Sequence, residues 1–261
     1  MTTRAPLFIL MLLIGIILTG VFKDTTFIQV EKILTSPNLE YFFGTDELGR
    51  NILPRLAHGI IISVFVGISV LVLSATIGIS VGIISGWYGG IIDSILMRIT
   101  DIFLSFPGIL IAICFAALSG PGVGNVILAL GLMGWVSFAR LTRIQTLALK
   151  KEEFIQAAVL SGVKNLRIWR QYILPNITAP LIVEAIFTVA GSIIAEAGLS
   201  FLGIGIQPPD PSLGSMLREG TRYMLVAPHL VFIPGTTLML IILMLSFWGD
   251  VIRDRLDVRR T

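Results

Sequence analysis

The chain has 261 residues, of which 55% are hydrophobic and only 13% charged, about half the charge density of an ordinary soluble domain. Its mean hydropathy is +0.92, and uncharged runs of about 20 residues recur, the length that crosses ~30 Å of hydrocarbon. That pattern excludes a soluble bundle of amphipathic helices. The net charge of +3 sits in segments flanking the apolar runs, as expected for loops kept in the cytoplasm, and does not point to nucleic acid.

The first apolar run, 7–22, follows Arg4, and its tail Leu18-Thr19-Gly20-Val21-Phe22 is a poor cleavage site, so it reads as a retained helix. Further spans are predicted at 59–85, 102–118, 123–139, 177–201 and 227–248, six in all. The expected fold is therefore an all-α integral membrane protein. An even number of spans puts both termini on one side, and Lys and Arg then divide unevenly between the two sides. One side takes thirteen: Arg4, Arg98, Arg140, Arg143, Lys150, Lys151, Lys164, Arg167, Arg170, Arg253, Arg255, Arg259 and Arg260. The other takes six: Lys23, Lys32, Arg50, Arg55, Arg218 and Arg222. The bias predicts both termini and the 140–175 segment in the cytoplasm.

The second span carries two ladders of small residues stepping by four, Gly59, Ser63 and Gly67, then Ser74, Gly78, Gly82 and Gly86. Such a face lets another helix approach closely, either to pack against it or to slide past it. Cys114 is the only cysteine and lies in an apolar run, where it is read as a packed residue. His58 and His229 share no ligand-like spacing with it, so no metal cage is expected. Glu184 and Glu196 both fall in the fifth span, where an unpaired carboxylate costs at least ~2.5 kcal/mol at the bilayer centre. Two readings stand for each: a cation or proton site, or a position near an interface or beside a polar partner.

No phosphate loop of the form GxxxxGK[ST] occurs; the glycine cluster Gly120-Pro121-Gly122-Val123-Gly124 lacks the lysine and reads as a turn. There is no HExxH and no GxSxG, and so no local candidate for hydrolysis. No catalytic residue and no cofactor are expected on this chain. A self-contained secondary transporter or channel, with Glu184 or Glu196 coupling an ion, and a membrane enzyme remain as alternatives on these grounds.

One connection is long, 140–176, and long ordered connections carry function. From Glu152 to Gly162 it reads as a short helix with acids in its first turn and glycine at its stop, and a second short helix is expected near 165–173, ending before Pro175. Ala158 and Gly162 are four apart, neighbours on one face, and the unit suits docking by another protein.

These residues also carry a resemblance. Gln156-Ala157-Ala158, then Gly162, then Leu174-Pro175 resemble the E-A-A, three residues, G, nine residues, I-x-L-P loop of binding-protein-dependent ABC importer permeases. Gln156 replaces its glutamate and Tyr172 its isoleucine. Gly44-Thr45-Asp46-Glu47-Leu48-Gly49-Arg50-Asn51 is similar to the G-T-D-x-x-G-R-D signature of the dipeptide, oligopeptide and nickel branch, and Leu199 through Pro209 to its L-S-F-L-G-L-G-x-x-P-P stretch. The end, Gly249-Asp250 through Arg253-Asp254 to Leu256-Asp257, resembles its tail, with Val258 where proline is usual. The resemblance runs over about 43–259, on the side of the C-type permeases.

It implies the type I importer architecture: a first helix and extracytoplasmic loop at 1–42, a permease domain at 43–261, and a coupling loop at about 149–175. It implies a second, homologous permease, two cytoplasmic ABC ATPase subunits that bind ATP and Mg, and an extracytoplasmic solute-binding protein. Glu153, Gln156, Ala157, Ala158, Gly162, Leu174 and Pro175 are then the expected ATPase-coupling residues, and Asp46 and Arg50 candidate contacts for the binding protein. The expected cargo is a di- or oligopeptide, or nickel or a metal chelate, crossing the inner membrane of a prokaryote.

Overall fold

The computed structural model describes residues 4–256; Asp257, Val258, Arg259 and Arg260 of the expected tail lie outside them. Among the described residues the chain is helical, with a single bridge between Thr45 and Asn51 in place of a sheet. Ten helices follow one another: α1 (Arg4–Gly20), α2 (Ile52–Tyr88), α3 (Gly90–Leu104), α4 (Gly108–Ser119), α5 (Val123–Leu149), α6 (Glu153–Leu160), α7 (Asn165–Ile168), α8 (Leu174–Phe201), α9 (Leu213–Thr221) and α10 (His229–Leu256).

Four helical runs are long and apolar enough to cross a bilayer: α2, α5, 165–201 and α10. α3 and α4 make a fifth only as a pair bent by 80°, and the apolar stretch of α1, Pro6–Gly20, is shorter. The six expected spans thus become four full-length helices, one broken pair and one short helix. The expected third span, 102–118, straddles the break. Pro107 has no N–H to give the preceding turn and disfavours helical geometry at Phe106, so α3 stops at Ser105 and α4 restarts beyond Pro107. At the other end of α3, Gly89 and Gly90 take φ of +66° and +55°, which turns the chain sharply out of α2.

The second expected helix of the long connection differs too. It does not end before Pro175: α7 runs through a π-helical stretch, Trp169–Ile173, straight into α8. Proline is tolerated there because it sits at the start of α8, where the wider π turn has already interrupted the regular hydrogen-bond ladder.

The two ladders of α2 have different partners. The lower one meets α5, with contacts so close that a methyl group added at Gly78 would lie 2.4 Å from the Trp135 carbonyl oxygen. One added at Gly82 would lie 2.5 Å from the Ala139 carbonyl oxygen, and Ser74 donates to the Gly131 carbonyl at 3.2 Å. The upper one meets α8 and the start of α9: Gly67 faces Val189 and Ile193, and Gly59 faces Leu213. These small residues make interlocked packing surfaces, since bilayer helices gain from close backbone approach and not from burial alone.

Candidate functional site

At one end of the bundle α6, the Gly162 turn and α7 form a protruding unit. Ile155 and Ala158 on α6 face inward and pack with Ile83 and Trp87 at the end of α2 and with Ile168, Ile173 and Ile177 of the α7–α8 run. Trp169 lies edge-on to both Trp87 and Tyr88, with centroids 6.5 and 6.0 Å apart. Lys150 reaches back to donate to the Trp87 carbonyl at 2.6 Å. Among the expected coupling residues, Glu153, Gln156, Ala157, Gly162 and Pro175 are exposed and Leu174 is half-buried. Ala158 departs from expectation: it is buried in this chain's own core, because an eight-residue helix with Ile155 on its inner face also turns residue 158 inward. The outward apolar face belongs instead to Phe154, Ala157 and Leu160, the last 88% exposed, continued by Leu166. Gly162 has φ of +73° with open space around it, so its role inside the chain is conformational. Beside it a concavity of about 630 Å³ is lined by residues that include Lys164, Arg167 and Arg170.

At the opposite end the 44–51 turn is tied to α2 and α9 by an ion cluster. Asp46 accepts from the Leu48 and Arg50 backbone N–H groups, both at 2.9 Å, and pairs with Arg50 Nε at 2.7 Å and Arg55 Nη1 at 3.2 Å. Arg55, only 3% exposed, also pairs with Glu219 of α9 at 2.6 Å. Burial pushes the Glu219 carboxyl above the usual carboxylate range, and the Arg55 guanidinium opposes that shift. Asn51 caps α2 by accepting from Leu53 N–H at 3.0 Å, the task its residue type suits. Asp46 and Arg50 are thus buried and spent within the subunit. Their side chains hold the shape of this end. Arg55 and Glu219 were not singled out from the sequence, and no local pattern joins positions 164 apart.

The two carboxylates of α8 are not brought together; twelve residues apart, they lie about 18 Å from each other along the helix. Glu196 is fully buried, accepting from Ser63 of α2 at 2.8 Å and Ser200 at 2.8 Å. Ser200 in turn accepts from the Ile206 N–H at 3.0 Å, so the stretch after α8 closes over the carboxylate. The Ser200 partner, one turn away, was within reach of sequence reading; Ser63 was not. Glu184 is half-buried in a groove with Gln145 and Arg253 and has no ion pair among the described residues.

Residues 78–260 match the family model of binding-protein-dependent transport system inner membrane components. The chain is 40% identical over 224 residues, 86% of its length and 74% of the relative's, to the dipeptide transport system permease protein DppC of Alkalihalophilus pseudofirmus. It is 36% identical over 260 residues, 98% of its length and 86% of the relative's, to the glutathione transport system permease protein GsiD of Escherichia coli. In fold it is similar to a chain of the MetNI methionine ABC transporter in inward-facing conformations, with a TM-score of 0.61 at 19% identity over 78% of this chain and 97% of that one. The chain belongs to the binding-protein-dependent transport system inner membrane components, as a multi-pass permease subunit of an ABC importer in the branch that holds these dipeptide and glutathione permeases.

Proposed function

We propose that this subunit moves short peptides across the cytoplasmic membrane of a prokaryote, with ATP and Mg bound by two ATPase subunits, one of which docks on the α6–Gly162–α7 unit. The observation that carries the docking is the apolar face of Phe154, Ala157 and Leu160 at a protruding end, rimmed by Lys164, Arg167 and Arg170. An exposed apolar patch of this kind marks a protein contact. Glu153, Gln156 and Gly162 lie on the same exposed side, while Leu174 and Pro175 join the unit to α8. A homologous second permease completes the path, and a solute-binding protein delivers cargo at the end built on the Asp46 cluster. The charge bias of the loops supports a cytoplasmic α6 end and cytoplasmic termini.

Peptide cargo rests on the two relatives above, which are named for dipeptide and glutathione transport. The deciding experiment is uptake in a strain lacking this chain, comparing di- and tripeptides with nickel salts and nickel chelates. Complementation restores peptide uptake and leaves nickel uptake unchanged; restoration of nickel uptake alone overturns the cargo.

A further inference from the structure

α5 and α8 run antiparallel and leave a groove along their seam, bordered by Val70 of α2 and by Gly108 and Ile109 of α4 at one stretch and by Arg253 of α10 at the other. Toward the middle of the bundle it is a cleft of about 280 Å³ whose lining includes Ser137, Thr188 and Ser192. Toward the α6 end it continues as a cavity of about 460 Å³ whose lining includes Gln145, Glu184 and Arg253. The lining is periodic: residues 137, 141 and 145 of α5 and 184, 188 and 192 of α8 each step by four, so each set forms one stripe about 12 Å long.

The hydroxyls of this groove are unspent. In other parts of the long helices Thr76, Ser80, Thr178, Thr236 and Thr237 donate to the carbonyl one turn back, at 2.6 to 2.8 Å. That is how a hydroxyl satisfies itself in lipid. Ser137, Thr188 and Ser192 make no hydrogen bond among the described residues, although Ser192 is only 7% exposed. In the long helices Ser69, Thr142, Thr146 and Ser246 also lack a partner but stand apart from the groove, Thr142 and Thr146 being buried against Gly82 and Gly86 of α2. Ser137 is exposed, Thr188 half-buried and Ser192 buried; at membrane depth an unpartnered hydroxyl costs about 1–3 kcal/mol whether it meets protein or lipid. Three converging on one cleft call for water or a polar ligand. Glu184 is the one acid of the groove, and its carboxylate has no cationic partner within ion-pair distance among the described residues.

We propose that this α5–α8 seam is the subunit's wall of the translocation path. Ser137, Thr188 and Ser192 exchange hydrogen bonds with the amide groups of a passing short peptide, and Glu184 receives its ammonium group near the α6 end. The ligand class rests on the peptide reading given above; the wetted path rests on the groove alone.

The test uses the complete importer, with its second permease, ATPases and binding protein, in proteoliposomes. In a Cys114→Ser background, Thr188→Cys and Ser192→Cys are labelled with a charged methanethiosulfonate, with Ile194→Cys, exposed on the same helix but outside the groove lining, as the control. The groove thiols are expected to react at least about tenfold faster, because only a wetted thiol ionises, and trialanine supplied with ATP slows them. Equal reactivity at all three positions overturns the path. Glu184→Gln is expected to slow trialanine uptake about tenfold, the loss of one charge-assisted hydrogen bond, with Glu184→Asp retaining most of it. Uptake by Glu184→Gln at the wild-type rate overturns the ammonium role. A wild-type importer that moves no peptide refutes the cargo reading instead, and the labelling still decides whether the groove is wetted.

Discussion

Adding one methyl group to the lower ladder of α2 tests whether α2 and α5 are locked together or free to slide. At Gly78 the new Cβ lies 2.4 Å from the Trp135 carbonyl oxygen and 2.5 Å from Phe138 Cβ, both on the rigid body of α5. Ordinary contact needs roughly 1 Å more, and neither neighbour is the movable tip of a long side chain. Overpacking of this size costs about 1–3 kcal/mol, against which alanine returns about 1 kcal/mol of helix propensity. Because both contacts are with the body of α5, the upper end of that range applies, and the net expectation for Gly78→Ala is a loss of about 2 kcal/mol. At Gly198 of α8 the same change meets nothing within 4 Å, so only the propensity gain remains and the sign reverses. Thermal unfolding of the detergent-solubilised importer reads the difference, at about 2–4 °C per kcal/mol for chains of this size. Gly82→Ala behaves like Gly78→Ala, and the pair together costs less than the sum, since one outward shift of α5 relieves both clashes. If Gly78→Ala melts at or above the wild-type temperature, the interlocked packing is refuted and a sliding surface is restored.

Three further outcomes follow from the other contacts. Glu196→Ala strips Ser63 and Ser200 of their acceptor in a dry site and is expected to cost about 3 kcal/mol, with Glu196→Gln recovering roughly half; equal melting temperatures for the two variants refute the serine cage. Glu219→Met leaves the Arg55 guanidinium with Asp46 as its one close carboxylate and is expected to destabilise by about 3 kcal/mol, a cost that pairing it with Arg55→Met largely removes; additive losses in the double variant refute the coupling. Ala157→Trp is expected to abolish co-purification of the ATPase subunits while the permease still inserts and melts normally. Ala158→Trp instead unfolds the α6 end, and a reversed pattern refutes the assignment of faces.

Much of this fold is legible in the sequence because lipid imposes a simple rule: apolar length and backbone self-satisfaction. The long runs at 59–85, 123–139 and 177–201 fall inside α2, α5 and α8, and 227–248 overlaps α10 from His229 on. Hydropathy does not register direction, so the 102–118 run looked like one span although Pro107 breaks it. Proline was read too strongly at Pro175, where a π stretch lets the helix continue. The small-residue ladders revealed that α2 packs closely, but not that its two halves meet different helices. At the α6 end the spacing of Ala158 and Gly162 suggested one shared face, but Gly162 lies past the end of α6 and is exposed whereas Ala158 is buried. Direction came from Ile155, whose burial fixes Ala158 inward and leaves Leu160 outward. The Asp46–Arg55–Glu219 cluster and the Ser63–Glu196 bond join residues more than 130 apart, and no single-chain pattern carries such pairings.

These contacts also fix how a displacement of the α6 unit propagates. Ile155 and Ala158 rest on Ile83 and Trp87 of α2 and on Ile173 and Ile177 of the α8 run, so a push on α6 loads two helices at once. α2 is 37 residues long, about 55 Å, and the glycine ladder makes α5 travel with it. At the far end Ser63 and Glu196 tie α2 to α8, and Arg55 and Glu219 tie it to α9. A body clamped at both ends turns as a unit and does not shear internally. The places left to yield are those where the hydrogen-bond ladder is already interrupted: the π stretch before Pro175, the Gly89–Gly90 turn and the break before Pro107. All three lie outside the clamped body formed by α2, α5 and the upper part of α8. Across the Gly89–Gly90 turn α3 stays tied to that body, Asp93 pairing with Arg143 and Asp101 with Arg140 of α5, and α4 packs into the same core through Ala112, so a load on the α6 unit is taken up first at the π stretch that joins it to α8.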